Sequence, residues 1–195
     1  NLLGNLAASG VSVLYLLIVT RLTSASIADQ FSLIWSIGTL WVVIGLFQVR
    51  NFHGTDVRQK YSFRSYFQAR ILTNLVMIIT LFPYLQMVGG GRYTKSIISM
   101  TFLMILYRAW DSISHLFQGL FQQRERMDIA GRTMFYRYST SAVILLLALF
   151  LSNSLLIALI SLVVWNGLFI IFYELPFVYQ FESFKWTEIL NLKDL

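Results

Sequence analysis

Polar side chains that could bind or transform a ligand are concentrated in one otherwise apolar stretch of the sequence. Arg108, Asp111, His115 and Gln118 recur there at intervals of three or four residues. On a helix, which turns about 100° per residue, they share one face with Ser112. A guanidinium, a carboxylate, an imidazole and an amide on one face predict a polar wall that holds an anionic or sugar-bearing substrate.

The same residues permit two other interpretations. Arg108 and Asp111 stand three residues apart, so they could form an ion pair that only fixes helix packing. Alternatively, His115 could act as a base with Asp111 orienting its ring, which would make the protein an enzyme acting on a polyprenyl phosphate. That interpretation lacks support, because only Asp111 and Glu174 are acidic residues within or bordering the apolar stretches. We therefore predict no catalytic residue and no metal site.

The elements that must position these residues are membrane-spanning helices. Of the 195 residues, 57% are hydrophobic and 12% are charged, which is about half the charge of a soluble domain. The hydrophobic residues form blocks of about 18–20, the length that crosses about 30 Å of hydrocarbon. Backbone polar groups in lipid must bond internally, which favours helices. The sequence predicts an all-α integral membrane protein, a bundle of six helices with spans at about 2–20, 31–49, 71–88, 96–119, 134–151 and 155–173.

Composition excludes several classes of function. There is no cysteine, so disulfides and thiolate chemistry are excluded. The net charge is +6, but the basic residues lie in short segments between apolar blocks. Basic residues in such short segments set the orientation of a protein in the bilayer, so their placement indicates a membrane protein and not a nucleic-acid-binding protein. No nucleotide-binding motif occurs, so we predict neither ATP coupling nor a cofactor.

Basic residues are distributed unevenly between the two sides of the predicted bundle. Three lie on one side, Arg21, Arg92 and Lys95, and eleven on the other. Because cytoplasmic loops carry an excess of Lys and Arg, we predict that the side with eleven, and both ends of the sequence, face the cytoplasm. Residues 177–195, with Trp186, are predicted to form an amphipathic helix at that interface. The eleven are Arg50, Arg58, Lys60, Arg64, Arg70, Arg124, Arg126, Arg132, Arg137, Lys185 and Lys193.

Two connecting segments resemble a known family. One comprises residues 49–57, VRNFHGTDV, with YSF at 61–63 and YFQAR at 66–70; the other runs from 107 to 132 through YRAWDS and QGLFQQRERMDIAGR. Both are similar to polysaccharide biosynthesis membrane proteins, the O-antigen and exopolysaccharide flippases of the multidrug/oligosaccharidyl-lipid/polysaccharide exporter superfamily. The order and spacing of the six spans resemble the N-terminal lobe of that fold. A drug exporter of the same superfamily is an alternative that the two segments do not distinguish.

The resemblance implies a function as well as an architecture. It implies two six-helix lobes around a cavity that opens alternately to each side of the cell membrane, with residues 177–195 leading to a second lobe. The implied cargo is an undecaprenyl-pyrophosphate-linked oligosaccharide, whose pyrophosphate would meet Arg108. Arg21 matches another basic position of the family, although residues 22–24 depart from its pattern. With Arg70, on the polar face of the third span, the predicted substrate-binding set is Arg108, Asp111, His115, Gln118, Arg21 and Arg70.

Overall fold

A computed structural model describes residues 2–56, 58, 60–91 and 93–182 of the chain, and these residues form helices and turns without any strand. The predicted all-α class is thereby confirmed. Of the amphipathic helix predicted at 177–195, residues 183–195 lie outside the described residues.

The described helices follow one another through short connections, which makes consecutive long helices antiparallel neighbours. One helix, α7, continues through a π-helical segment into α8 without a break. The bounds are α1 Leu2–Leu22, α2 Ala25–Leu46, α3 Val49–Thr55, α4 Phe63–Gly89, α5 Lys95–Gln123, α6 Met127–Ser152, α7 Leu155–Phe169, the π-helical segment Ile170–Glu174, and α8 Leu175–Val178.

Short polar side chains begin and end the helices. The Ser62 hydroxyl accepts a hydrogen bond from the backbone N–H of Ser65 at the start of α4. Ser154 does the same for Ile157 at the start of α7, so both serines satisfy an N–H that the helix leaves without a partner. Asn153, in the left-handed conformation with φ 51°, ends α6. These caps fix the tight turn between α6 and α7.

Four helical runs are long and apolar enough to cross a membrane: α2, α4, α6, and the run from α7 to α8. Their outward faces carry exposed apolar side chains such as Val43, Ile79 and Phe150. Apolar outward faces are those of a multi-pass membrane protein. α1 contributes a shorter apolar segment, Gly10–Leu22. By length and composition, the described residues thus contain four of the six predicted spans.

Two helices begin well before the predicted spans. α4 starts at Phe63 instead of about 71, and α6 starts at Met127 instead of about 134. The prediction ended each span near its arginines and assigned Arg70 and Arg137 to a loop side. Both arginines instead lie inside helices and are buried, because the bundle supplies their partners. The predicted count of eleven loop residues therefore falls by two to nine.

The second predicted span was also misplaced. α2 covers Ala25–Leu46 instead of about 31–49, since Phe47 and Gln48 both take left-handed φ values, 34° and 54°. Two consecutive left-handed residues turn the chain sharply and begin the short helix α3. The sequence did not predict α3.

The end of the last span lies beyond its predicted limit at about 173. The π-helical segment Ile170–Glu174 leads directly into α8, so Pro176 stands in a continuing helix. Proline interrupts the regular hydrogen-bond ladder of an α-helix, and here it directly follows the π-helical segment, where that ladder is already irregular. The fourth predicted span, about 96–119, lies within α5, Lys95–Gln123, which is not one of the four helical runs that meet the apolar criterion.

α5 is the central helix, in contact with α2, α3, α4, α6 and α7. Along it, most buried apolar side chains form two separate clusters, and Ile105 joins a third with α2 and α4. Residues 100–107 of α5 join a cluster with α1, α2, α6 and α7, and residues 116–121 join a second cluster with α3, α4 and the π-helical segment. The polar residues of α5 lie between the two clusters, so the packing of the bundle positions them.

Candidate functional site

A layer of buried polar side chains separates the two apolar clusters, and we call it the polar layer. It draws on α4, α5, α6, α7 and the π-helical segment. Its members are Asn74, Arg108, Asp111, Ser112, Ser114, His115, Thr133, Arg137, Ser141, Asn166 and Glu174. Buried polar groups need partners, so the contacts within the layer determine what it can bind.

The Asp111 carboxylate is held chiefly by α6. Arg137 Nη2 lies 2.7 Å from Asp111 Oδ1, and the Tyr138 hydroxyl donates to the same oxygen at 2.9 Å. The predicted pair with Arg108 exists but is longer, 3.5 Å from Arg108 Nη1 to Asp111 Oδ2. Asp111 is therefore not simply neutralised by its neighbour on α5, and Arg108 keeps capacity for another partner.

The Arg137 guanidinium connects Asp111 to a second carboxylate. Its Nε lies 3.6 Å from Glu174 Oε1, and its Nη1 donates to Asn166 Oδ1 at 3.4 Å. The Ser114 hydroxyl donates to the same Glu174 oxygen at 2.9 Å. Glu174 is the last residue of the π-helical segment, and such segments often occur at functional sites.

Arg108 lies where α5 meets α2. Its Nη2 donates to the Thr39 hydroxyl at 2.8 Å, and its guanidinium carbon stands 4.2 Å from the centre of the Trp35 ring. Gly38 permits this approach, because a Cβ there would come within 2.6 Å of Met104 Cγ. Arg108 Nε is buried without a hydrogen-bond partner among the described residues. Thr39 itself is exposed, so the Arg108 edge of the polar layer is its open side.

Two further arginines approach the layer from α3 and α4. Arg70 is fully buried, and its Nη1 donates to the backbone oxygen of Gly45. Its Nε and Nη2 have no hydrogen-bond partner among the described residues. Arg50 Nη1 lies 3.1 Å from His115 Nε2. Since a guanidinium only donates hydrogen bonds, the imidazole accepts and is neutral in this contact.

The charges in and beside the polar layer do not balance. Arg108 and Arg137 face two carboxylates, Asp111 and Glu174. The charge of Arg70, like those of Arg50 and Arg137, acts on His115, but no ion pair to Arg70 or Arg50 occurs within the part of the chain that the structure describes. If all six groups are ionised, the region carries a surplus of two positive charges, one on buried Arg70 and one on half-buried Arg50.

The structure gathers some of the predicted site residues and not others. Arg108 and Asp111 lie in the polar layer, with Arg70 close by. Gln118 lies beside the layer, where α5 contacts α6, and donates a hydrogen bond to the Thr133 hydroxyl at 3.0 Å. Arg21 is exposed in the last turn of α1. α2 begins shortly after Arg21, at Ala25. Thr39, the partner of Arg108, lies 14 residues beyond Ala25, which is about 20 Å along the helix. Arg21 therefore belongs to the far end of the bundle.

Arg137 and Glu174 are the charged members that sequence reasoning missed. Arg137 was assigned to a loop, and Glu174 was noted only as an acidic residue bordering a span. A signal for Arg137 was present, because Thr133, Arg137 and Ser141 recur every four residues and form one polar face of α6. No comparable pattern surrounds Glu174, which is flanked by hydrophobic and aromatic residues.

Comparisons with family models, with curated proteins and with solved structures found no match to this chain. The resemblance to polysaccharide flippases, and the cargo that it implies, therefore stay predictions.

Proposed function

We propose that this chain is one six-helix lobe of a transporter that flips a lipid-linked oligosaccharide across the cell membrane by alternating access. The observation that carries the proposal is the surplus of guanidinium groups in and beside the polar layer, above all that of buried Arg70, which has no carboxylate partner among the described residues. Uncompensated charge at mid-membrane is expensive and generally functional. A pyrophosphate headgroup, such as that of an undecaprenyl-pyrophosphate-linked oligosaccharide, would neutralise two or more positive charges.

Arg108 is the proposed contact for the pyrophosphate. A guanidinium remains charged and can bind phosphate oxygens through parallel hydrogen bonds. Arg108 has an unpartnered Nε and lies beside exposed Thr39, so a headgroup arriving on that side would complete its hydrogen bonding. Arg70, whose guanidinium makes one hydrogen bond, supplies long-range positive potential.

The architecture we propose has six crossings. If α2, α4, α6 and α7 cross the membrane, α5 must return the chain from the end of α4 to the start of α6. Its 29 residues extend about 43 Å, enough to do so. α1 packs along α6 and would add the sixth crossing. A second lobe facing Thr39 and Arg108 would enclose the cargo and alternate its access.

The proposed orientation rests on the corrected loop charges. Nine basic residues on the α3 side against three on the other favour a cytoplasmic position for α3 and the α5–α6 turn. Tags after Tyr61 and Glu125 should then react only from inside the cell, and a tag at Gly90 only from outside. Labelling of Gly90 and Glu125 from the same side would contradict six crossings.

The two competing functions are less well supported. An enzyme using His115 as a base would need Asp111 to orient the ring, but the hydrogen bonds of Asp111 among the described residues go to Arg108, Arg137 and Tyr138, while His115 Nε2 faces Arg50. A drug exporter for lipophilic cations would have to bind them against a positive surplus. Both observations favour an anionic cargo.

The test is binding of farnesyl pyrophosphate to the purified chain in detergent, measured by calorimetry. Arg108→Ala should weaken binding about tenfold or more, because it removes a charge-assisted contact, and Arg108→Lys should retain part of it. Arg132→Ala is the matched control, since Arg132 is an exposed arginine of α6, and should leave binding unchanged.

Stability must be separated from binding in these variants. The double variant Arg108→Ala/Asp111→Ala removes both charges of the 3.5 Å pair. Because Asp111 also pairs with Arg137 at 2.7 Å, the double variant is compared with Asp111→Ala alone. If the Arg108–Asp111 pair is only structural, removing Arg108 as well should change neither stability nor pyrophosphate binding relative to Asp111→Ala. A double variant that folds as well as Asp111→Ala and binds pyrophosphate less supports the proposed role. Tetraphenylphosphonium binding in place of pyrophosphate binding would favour the drug exporter.

A further inference from the structure

A groove lies where α2, α3 and α4 meet, away from the polar layer. Its volume is about 430 Å³ and its lining is almost entirely apolar. Because α2 ends at Leu46 and α4 begins at Phe63, the groove opens at one end of two candidate membrane helices. It extends to Ala69, six residues into α4 and about 9 Å along it. The residues used below are Phe47, Phe52, Tyr61, Ser65, Tyr66 and Ala69.

Exposed aromatic side chains surround the mouth of this groove. Phe47 is 72% exposed, Phe52 56% and Tyr61 45%. Aromatic residues at helix ends are typical of the depth where lipid headgroups meet the hydrocarbon. Phe47 also holds a left-handed φ of 34°, a costly conformation for a bulky residue. The chain thus maintains a strained turn that projects an aromatic ring beside the groove.

Positive charge stands at the same mouth. The Lys60 ammonium lies 5.4 Å from the centre of the Tyr61 ring, which lines the groove, and Arg58 is exposed two residues earlier. The one carboxylate described in this turn, Asp56, is engaged. It accepts hydrogen bonds from the backbone N–H groups of Lys60 and Tyr61 and from the Tyr66 hydroxyl, at 3.0, 3.2 and 2.7 Å.

These contacts give Asp56 a structural task. Its hydrogen bonds lower the pKa of the carboxyl, with the backbone N–H of Lys60 contributing most and the Tyr66 hydroxyl next. The ionised carboxylate folds the turn so that Tyr61 and Tyr66 line the groove and Lys60 stands above it. An apolar channel below and a cation above match an amphiphile with a negative head and a hydrocarbon tail.

We infer that this groove binds an anionic phospholipid of the surrounding bilayer, with its acyl chain against Ala69 and Ser65 and its phosphate beside Lys60 and Arg58. The positive charge at its mouth distinguishes this groove from another of similar size. The groove between α6 and α7, about 410 Å³, is lined by apolar residues, one serine and one tryptophan, with no charged side chain. We expect that groove to accept any acyl chain without preference for the headgroup.

The two grooves supply a matched experiment. Ala69 and Ala148 are both half-buried alanines that line a groove of about the same volume. The purified chain is delipidated, incubated with equal amounts of phosphatidylglycerol and phosphatidylcholine, and examined by native mass spectrometry. We expect the unaltered chain to retain phosphatidylglycerol in preference to phosphatidylcholine, Ala69→Trp to lose that preference, and Ala148→Trp to keep it. Ser65→Trp fills the same groove from a position farther from Arg70 and should repeat the result if Ala69→Trp does not fold.

Headgroup preference is tested by charge. Lys60→Gln should lower the preference for phosphatidylglycerol over phosphatidylcholine about fivefold, the effect of one basic residue near an anionic lipid. Lys95→Gln, an exposed lysine at the opposite end of the bundle, should not change it. If both Ala69→Trp and Ser65→Trp keep the preference for phosphatidylglycerol, or if Ala148→Trp loses it equally, the inference is overturned. The result does not depend on the proposed transport function, because Arg108 is intact in every variant.

Discussion

Arginine–carboxylate pairs occur in two regions of this molecule, and their surroundings differ far more than their distances. In the polar layer, Arg137 and Asp111 are 2.7 Å apart, with side chains 2% and 17% exposed. At the α5–α6 turn, Arg126 and Asp128 are 2.9 Å apart, with side chains 45% and 52% exposed. Water and salt weaken the exposed attraction, whereas a buried charge has no substitute partner. Depth, more than pairing, determines what each arginine contributes.

The largest effect should come from breaking the buried pair. Arg137→Ala removes the cation beside buried Glu174 and leaves Asp111 with only its 3.5 Å contact to Arg108. Removing one partner of a buried pair typically costs about 3–5 kcal/mol of unfolding free energy. Thermal unfolding in detergent micelles should show the loss. If Arg137→Ala/Asp111→Ala is as unstable as the sum of the two single variants, the two side chains do not interact as the structure indicates.

The next largest effect should be a stabilisation of the fold. Arg70 is fully buried and donates to one backbone oxygen, without a carboxylate among the described residues. Replacing buried ionic groups with apolar ones of similar size often stabilises by about 1–4 kcal/mol, so Arg70→Met should raise the unfolding temperature. The same variant should weaken farnesyl pyrophosphate binding. A destabilised Arg70→Met would show that Arg70 has a structural partner and would remove it from the proposed charge surplus.

A smaller effect should appear in the pH dependence of stability, through a histidine of α3. Burial lowers the pKa of His53 from 6.5 to about 4. The folded-state pKa lies below that of the unfolded chain, so the imidazole stabilises the fold above pH 6.5 and loses that contribution as pH falls towards 4. His53→Phe keeps an aromatic ring against Tyr66, 4.3 Å away between centroids. The stability of the His53→Phe variant should fall less than that of the unaltered chain between pH 7.5 and 4.5. Identical pH profiles would contradict the buried neutral imidazole.

The smallest effect should come from the exposed pair. Arg126→Ala leaves Asp128 in water, where solvent replaces the lost contact. The unfolding temperature should be unchanged at 0.15 M salt and should drop slightly at most at low salt. A loss comparable to that of Arg137→Ala would erase the distinction between the two regions.

Local sequence patterns predicted the parts of the structure that depend on nearby residues. The length of the apolar blocks predicted the long helices, and the spacing of Arg108 and Asp111 predicted a polar face on α5. The partners of that face could not be predicted, since Arg137 and Glu174 are 26 and 60 residues from the α5 groups that they contact. The left-handed turn at Phe47 and Gln48 was also missed, because neither residue type favours that conformation.

The charge of α5 has a consequence for how the protein is made. Helices enter the bilayer from the ribosome according to their hydrophobicity, and one arginine and one aspartate near the middle of α5 oppose its entry alone. The helices α4 and α6 on either side are among the four that meet the apolar criterion. If α5 crosses the bilayer as proposed, we expect it to wait at the translocon until α6 emerges, because Arg137 then joins Asp111 and the two helices partition together. The polar layer would thus be assembled during synthesis, before the chain is released.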